Sequence, residues 1–382
     1  MTAKTKTADN VEKKQPDVRD FAAGLMKSNK QHHLNFEESI EEDDFVSSGS
    51  MIMDSEIGGG FLSGLLRFTG GNECGKTSEA LQIMHEMLSN HKGSRGLYVQ
   101  AEGRLGKKMR ERSGIQFVYQ AEEWEDGTCL VLQSHIYDFV FDFIRGILKN
   151  NPSKTRFCII IDSMDSLLPK DDAEKSTSEA NKVAGGALLS SDFLRRVSLG
   201  MGKFGHLCIM ISQVRATIKG QYESLDPNST TSASGANALS HYPNWVLEFE
   251  RQFAKDKILE KPDQQMSDTN KAIGHYVKAR IRKSDNETTG RLIRYPVKYG
   301  RQGGKSVWIE REIVDLLLSW GFFSKSGSWF ATEPELAEHL KEGGFEFPEK
   351  IQGMNKIYTI LEEDEKLTKY LRKFVEKNIL SA

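Results

Sequence analysis

Cysteine, long apolar runs and an excess of charge of one sign are scarce or absent in this sequence of 382 residues. The four cysteines, Cys74, Cys129, Cys158 and Cys208, are far apart and form no Cys-x-x-Cys pair, which argues against a disulfide framework or a zinc site. No apolar run approaches the length that spans a bilayer, and the lysine-rich N-terminus lacks the apolar segment of a secretory signal. We therefore expect an intracellular, cytoplasmic protein with no membrane partner.

The charge balance is nearly even, because 52 lysines and arginines oppose 54 aspartates and glutamates. The net charge of −2 therefore argues neither for nor against nucleic acid. Basic residues nevertheless concentrate between residues 278 and 305, at Lys278, Arg280, Arg282, Lys283, Arg291, Arg294, Lys298, Arg301 and Lys305. Such a segment is either a solvated strand face or a contact surface for DNA or RNA, and composition leaves both readings open.

The most specific motif is Gly70-Gly71-Asn72-Glu73-Cys74-Gly75-Lys76-Thr77, followed by Ser78. It matches the phosphate-binding loop (P-loop) pattern Gly-x-x-x-x-Gly-Lys-Thr at every fixed position. The glycines let backbone N–H groups turn toward a polyphosphate, Lys76 adds a cation near the β- and γ-phosphates, and the Thr77 hydroxyl can bind Mg²⁺. The motif predicts that the chain binds a nucleoside triphosphate. Cys74, next to a lysine and a helix N-terminus, is also a candidate reactive thiol.

The flanking pattern distinguishes a P-loop from a glycine-rich surface turn that happens to carry a lysine. Residues 65–69 are typical of a short buried strand, and apolar residues recur at helical spacing from Ala80 to Leu88. Similar apolar strands at 97–99, 157–161 and 207–211 alternate with helical patterns near 133–149 and 186–203. This alternation predicts an α/β fold with a mainly parallel sheet covered by helices on both faces.

Three of the predicted strands end in polar residues. Residues 157–161 end at Asp162, which is typical of a Walker B carboxylate that orients Mg²⁺. Residues 97–101 end at Glu102, which could activate water, and residues 208–212 lead to Gln213, which could sense a γ-phosphate. Each could equally be a polar residue that merely ends a strand. Two long polar segments, about 169–186 and 214–235, follow Asp162 and Gln213, and loops of that length are typically functional or disordered.

Taken together, these motifs resemble RecA-type recombinases, particularly phage-encoded members. Ile160-Ile161-Asp162-Ser163 with Leu168-Pro169-Lys170 is similar to the family's Walker B strand and first DNA-binding loop. Ala101-Glu102 falls at the position of the family's catalytic glutamate. Ile211-Ser212-Gln213-Val214-Arg215 and the segment from Ser234 to Tyr242 resemble the sequences that open and close the second DNA-binding loop.

The resemblance implies a P-loop NTPase with a RecA-like core over residues 45–330 and with ATP and Mg²⁺ as ligands. It assigns Glu102, Lys76 and Gln213 to catalysis and assigns Thr77 and Asp162 to the metal. Tyr299 would pack against adenine, and Lys283 would reach the γ-phosphate of a neighbouring subunit. The candidate DNA ligands are Arg215, Lys219, Ser234, Gly235, Ala236 and Asn237.

The remaining segments are expected to be appendages. Residues 1–44 form a flexible N-terminal arm with a short helix that docks on a neighbour, and residues 331–382 form a small helical C-terminal region.

Three functions from different classes are consistent with these features. The first is an ATP-dependent recombinase that forms a helical filament on single-stranded DNA and pairs it with double-stranded DNA. The second is a ring-forming replicative helicase of related fold, and the third is a recombination mediator that binds nucleotide but does not hydrolyse it. Mediator or single-strand-binding proteins are candidate partners of the recombinase. The sequence from Ser234 to Ser240 and the loop lengths favour the recombinase.

Overall fold

Apolar strands build the centre of this molecule. The computed structural model describes residues 18–28, 45–103, 105–173, 184–216, 231–233, 238–262 and 264–380. Residues 1–40 and 41–382 form two compact units. Helix α1 (Val18–Ser28) belongs to the first unit and carries exposed apolar side chains at Val18, Leu25 and Met26.

The other helices and all strands belong to the second unit. The helices are α2 (Met51–Glu56), α3 (Lys76–Asn90), α4 (Lys107–Ser113), α5 (Tyr137–Lys149), α6 (Lys170–Ala173), α7 (Ala184–Lys203), α8 (Ala238–His241), α9 (Ile309–Ser319), α10 (Pro334–Glu342), α11 (Met354–Glu363) and α12 (Glu365–Val375). The strands are β1 (Gly64–Gly70), β2 (Ser94–Gln100), β3 (Gln116–Val118), β4 (Thr128–Gln133), β5 (Arg156–Asp162), β6 (Leu207–Ile211), β7 (Val214–Ala216), β8 (Thr231–Ala233), β9 (Trp245–Phe249), β10 (Lys257–Leu259), β11 (Ala272–Lys283), β12 (Leu292–Lys298), β13 (Phe323–Ser326), β14 (Trp329–Thr332) and β15 (Lys350–Gln352).

A ten-stranded sheet has the order β10-β11-β9-β1-β6-β5-β2-β4-β3, with β12 paired to β11. The seven strands from β9 to β3 are parallel, and β10, β11 and β12 are antiparallel at one edge. The predicted α/β class with a mainly parallel sheet is confirmed. The predicted strands correspond to β1, β2, β5 and β6, and the predicted helices to α3, α5 and α7.

Side-chain alternation along the buried strands fills two separate apolar layers. In β5, Cys158 and Ile160 pack into one layer with α3, whereas Ile159 and Ile161 pack into the other layer with α5 and α7. Successive residues of a strand point to opposite faces, so a strand covered on both faces is apolar throughout. Cys158 and Cys208 are fully buried, as expected for small core residues.

The C-terminal part has a third apolar layer, in which α9 packs against α11 and α12. It also contains the small antiparallel sheet β13-β14-β15. The predicted boundary between residues 330 and 331 falls inside β14, and β15 adds a strand to the region expected to be helical. The short alternating segments were overlooked because the lysine- and glutamate-rich helices around them dominate the pattern. The three-part division of the chain stays a prediction.

Candidate nucleotide and DNA site

The P-loop joins β1 to α3, and two glycines give it its shape. Gly70 has φ +144°, and a Cβ at that position would lie 2.4 Å from the Phe249 carbonyl oxygen. Gly75 has φ +101° and is the N-cap of α3. Other residues rarely adopt these angles, so both positions require glycine. The strand, loop and helix thus form the context that the motif predicts.

Lys76 contacts the backbone of the P-loop. Its Nζ donates to the Gly70 carbonyl oxygen at 3.0 Å and to the Gly71 carbonyl oxygen at 2.6 Å. The side chain is buried, and burial lowers the pKa of the Lys76 ammonium. A cation removed from water and held only by neutral carbonyls gains strongly from an anionic ligand.

Thr77 and Asp162 meet at the carboxyl end of the sheet. The Thr77 hydroxyl donates to Asp162 Oδ2 at 2.8 Å, and the Tyr98 hydroxyl donates to the same oxygen at 2.7 Å. Burial raises the pKa of the Asp162 carboxyl, while both hydrogen bonds oppose that change. A hydroxyl and a carboxylate oxygen are hard donors of the kind Mg²⁺ prefers, so this pair fits the predicted metal. Tyr98 was missed from sequence, where it looked like an apolar strand residue.

Glu102 and Gln213 contact each other directly. Gln213 Nε2 donates to Glu102 Oε1 at 3.0 Å and to Oε2 at 3.2 Å. The Ser163 and Ser166 hydroxyls also donate to Glu102 Oε2, at 2.8 and 3.1 Å. The backbone N–H of Gln213 donates to Asp165 Oδ2 at 2.6 Å. The ends of β2, β5 and β6 are therefore joined by one polar network.

Arg67 lies in the middle of β1 and is almost fully buried. Its Nη1 donates to the Leu239 carbonyl oxygen at 3.2 Å and to Ser240 Oγ at 3.3 Å, and its Nε donates to Ser212 Oγ at 3.4 Å. It thus connects the P-loop strand to the residue before Gln213 and to α8. An arginine inside an apolar strand is the signal that could have identified it.

The second predicted DNA loop begins and ends in a short hairpin. Arg215 lies in β7, which pairs with β8, with Arg215 opposite Ser232. Lys219, Ser234, Gly235, Ala236 and Asn237 lie outside the described residues. For the first loop, α6 is described, and residues 174–183 are likewise outside.

Lys283 is distant from the P-loop of its own chain. Lys283 of β11 is paired with Val246 of β9, and Val246 is paired with Arg67 of β1. Arg67 lies three residues before Gly70, the first residue of the P-loop. At about 3.3 Å per residue this is a separation of roughly 10 Å along the strands. Lys283 Nζ donates to the His241 and Pro243 carbonyl oxygens, both at 2.6 Å.

The two other basic candidates on β11 are paired with acids. Arg280 forms a salt bridge with Glu250 at 2.7 Å, and Arg282 forms one with Glu248 at 2.5 Å. The Lys283 amine therefore differs from them in having carbonyl partners, and its role toward a neighbouring subunit stays a prediction.

Tyr299 follows β12 and is 44% exposed. Its ring lies 5.4 Å from that of His275, centroid to centroid. An exposed ring at this position is accessible to a stacking partner, and adenine remains the predicted one.

Cys74 is not the reactive thiol that its sequence position suggested. It is 3% exposed, and burial raises its pKa. The nearby Lys76 charge opposes this change but is not the larger effect. Thiol reactivity requires thiolate, so the hypothesis is wrong.

Comparison with known proteins identifies the chain. The family model of the RecA N-terminal domain matches residues 26–301. The chain belongs to the RecA family. Proteins of this family are DNA-dependent ATPases, and membership makes this chain a RecA-type recombinase.

The similarity to individual relatives extends over most of the chain at modest identity. The chain is 24% identical over 337 residues to Protein RecA of Chlorobaculum parvum, covering 87% of this chain and 83% of the relative. It is 26% identical over 340 residues to Protein RecA of Chlorobaculum tepidum, covering 88% and 84%. It is 26% identical over 290 residues to Protein RecA of Cytophaga hutchinsonii, covering 75% and 72%. Within the described part of the chain, no helix is long and apolar enough to cross a membrane.

Proposed function

We propose that this RecA-family chain assembles as a helical filament on single-stranded DNA and exchanges strands with a homologous duplex under the control of ATP. The hydrogen bond between Gln213 and Glu102 is the observation that carries the proposal. It joins the residue that would activate water to the residue that leads into the second DNA loop.

ATP would bind by replacing protein acceptors with phosphate. Lys76 donates to two carbonyl oxygens of its own loop. Phosphate oxygens are stronger acceptors for an ammonium group, so the triphosphate would take over these hydrogen bonds. Backbone N–H groups of residues 71–77 and the N-terminal end of α3 would complete the phosphate cradle.

Thr77 and Asp162 would hold Mg²⁺, which would neutralise charge on the β- and γ-phosphates. The Tyr98 hydroxyl donates to the same Asp162 oxygen as Thr77 does. This second hydrogen bond would help to orient the carboxylate toward the metal.

Glu102 and Gln213 would act as the switch. The Gln213 amide donates to Glu102 in this structure. With a γ-phosphate bound, the amide would donate to the phosphate and leave Glu102 free to orient water for hydrolysis. Since Gln213 precedes β7 by one residue, its movement would shift the β7–β8 hairpin that begins and ends the second loop.

DNA would be bound by Arg215, Lys219 and residues 234–237, with salt-sensitive affinity and little sequence preference. Lys283 would serve the γ-phosphate of the next subunit, because its register places it away from its own P-loop. A phage origin and a cytoplasmic location, in the host cell if the chain is phage-encoded, stay predictions, as do mediator and single-strand-binding partners.

The test is ATP hydrolysis with and without single-stranded DNA, in the wild type and in Lys76→Ala. We expect DNA to stimulate ATP hydrolysis by the wild type. The hydrolysis rate of Lys76→Ala should be lower by at least about tenfold, because one charge-assisted contact to phosphate contributes roughly 1.5–3 kcal/mol. Lys92→Ala, at the surface beyond α3, is the matched control. Equal turnover in wild type and Lys76→Ala would refute the site, and nucleotide binding by the wild type without turnover, with or without DNA, would favour the mediator.

A further inference from the structure

A cavity of about 260 Å³ lies beside the P-loop. Its walls come from α3, α4, β11 and β12, and include Ser78, Glu79, Met109, Arg112, His275 and Tyr295. One water needs only about 10–15 Å³ of such space, so the cavity is large enough for an organic group. None of these six residues except Ser78 was assigned a role from the sequence.

Arg112 is a cation without an acidic partner in this cavity. Its Nη2 donates to Ser78 Oγ at 2.5 Å and approaches Met109 Sδ at 3.3 Å. Among the described residues no carboxylate forms a salt bridge with it. Burial lowers the pKa of the Arg112 guanidinium. A partly buried guanidinium is normally paired, so its arrangement indicates an anion that the protein itself does not supply.

The position of Arg112 selects one part of a nucleotide. Ser78 directly follows Thr77, and the first turn of α3 faces the α- and β-phosphates in a P-loop site. Lys76 serves the β- and γ-phosphates. The guanidinium at Ser78 therefore lies on the side of the α-phosphate, to which the nucleoside is attached.

His275 also lines the cavity. Burial lowers the pKa of the His275 imidazole to about 4, and the positive charge of Arg112 acts in the same direction. Glu79 is buried, and the Tyr295 hydroxyl donates to its Oε2. Among the described residues, neither of these side chains forms a salt bridge with Arg112.

We propose that Arg112 is a nucleotide ligand that binds the α-phosphate. The inference rests on the proposed function, because it adds a residue to the same ATP site. It assigns to α4 a cation acting within the same subunit, in addition to the P-loop lysine.

The role of Arg112 is tested by calorimetric titration of the full chain with Mg·ATP, Mg·ADP and tripolyphosphate, which measures the affinity for each ligand. Arg112→Ala should weaken ATP and ADP binding to the same extent, by roughly 10- to 100-fold, because both ligands carry the α-phosphate. Arg112→Lys should recover part of the loss, since it keeps the charge without the guanidinium fork. Arg110→Ala is the matched control on the same helix, where Arg110 bonds only to the exposed Tyr119 hydroxyl at 2.5 Å.

The outcomes separate this inference from the proposed function. If Arg112→Ala binds ATP as the wild type does while Lys76→Ala does not, the role of Arg112 is overturned and the ATP site stands. If the wild type does not bind ATP, the proposed function fails first. A loss in Arg112→Ala that Arg112→Lys does not relieve, accompanied by a lower melting temperature, would assign Arg112 a purely structural role and overturn the inference.

Discussion

In the proposed function, Gln213 is the residue at which nucleotide state and DNA binding would be joined. Its side chain contacts Glu102, its backbone N–H contacts Asp165, and the β7–β8 hairpin follows it. Each contact is with a different strand end, so a change at one is transmitted to the others. The proposed switch requires two alternative acceptors for the Gln213 amide, Glu102 and a γ-phosphate oxygen.

Gln213→Ala removes the amide but leaves the phosphate cradle intact. We expect ATP affinity to stay within about threefold of the wild type. The tightening of DNA binding by ATP should be lost, because a ligand shifts an equilibrium only through contacts that differ between its states. The measurement is fluorescence anisotropy of a labelled oligonucleotide with and without a non-hydrolysable ATP analogue. Gln100→Ala, where the amide donates to Gly103, is the control. A normal increase in affinity in Gln213→Ala would refute the switch.

At the scale of residues, sequence patterns pointed to some members of the candidate site and overlooked others. Lys76, Thr77, Asp162 and Glu102 belong to motifs with fixed spacing, and the structure places them at the same edge of the sheet. Tyr98 and Arg67 were missed, because each lies within an apolar strand and acquires its partner only through strand pairing.

At the scale of elements, α9 is attached to α2 by a buried carboxyl. Glu312 on α9 accepts from Ser50 Oγ at 2.5 Å and from the Met51 backbone N–H at 2.8 Å. Burial raises the pKa of Glu312 to about 8, and the Asp54 charge acts in the same direction. The hydrogen bonds from Ser50 and Met51 and the charge of Arg372 oppose the change.

This arrangement predicts a pH-dependent stability difference. Above its ordinary pKa near 4.5, Glu312 is ionised in the unfolded chain but keeps its proton in the folded chain up to about pH 8. Its contribution is thus complete below about pH 4.5 and declines as the pH rises toward 8, by up to about 1.4 kcal/mol per unit. Glu312→Gln does not titrate, so its stability deficit should shrink between pH 5 and pH 8.

Urea unfolding at several pH values, without nucleotide, measures this difference. Asp54 titrates in both proteins, so its effect largely cancels when the two curves are subtracted. Glu363→Gln, at an exposed position of α11, controls for the loss of one surface carboxylate. A difference between wild type and Glu312→Gln that stays constant from pH 5 to pH 8 would show that Glu312 is not protonated in the folded state.

Elements were predictable from sequence where their pattern was long and strongly apolar. The strands β1, β5 and β6 and the helices α5 and α7 follow directly from that pattern. The hairpin β13–β14 and the strand β15 did not, because they are short and half-exposed, and because their order depends on tertiary packing, of β13 on α9 and of β15 on α11. Cavity-lining residues such as Glu79 and His275 are distant in sequence and come together only through the fold.

At the scale of the whole molecule, the fold suits a protein that acts as an assembly of subunits. The antiparallel strand β11 holds Lys283 roughly 10 Å from its own P-loop along the sheet, which suits a role toward a neighbouring subunit. In a filament or a ring this residue would complete an adjacent site, so assembly and hydrolysis would be coupled. Electron microscopy with ATP and single-stranded DNA distinguishes a filament from hexameric rings.

The most direct measurement is strand exchange between circular single-stranded DNA and a homologous linear duplex, with ATP and Mg²⁺. We predict joint molecules with the wild type, none without ATP, and none with Lys76→Ala. Unwinding of the duplex without homologous pairing, or equal pairing in the absence of ATP, would contradict the account.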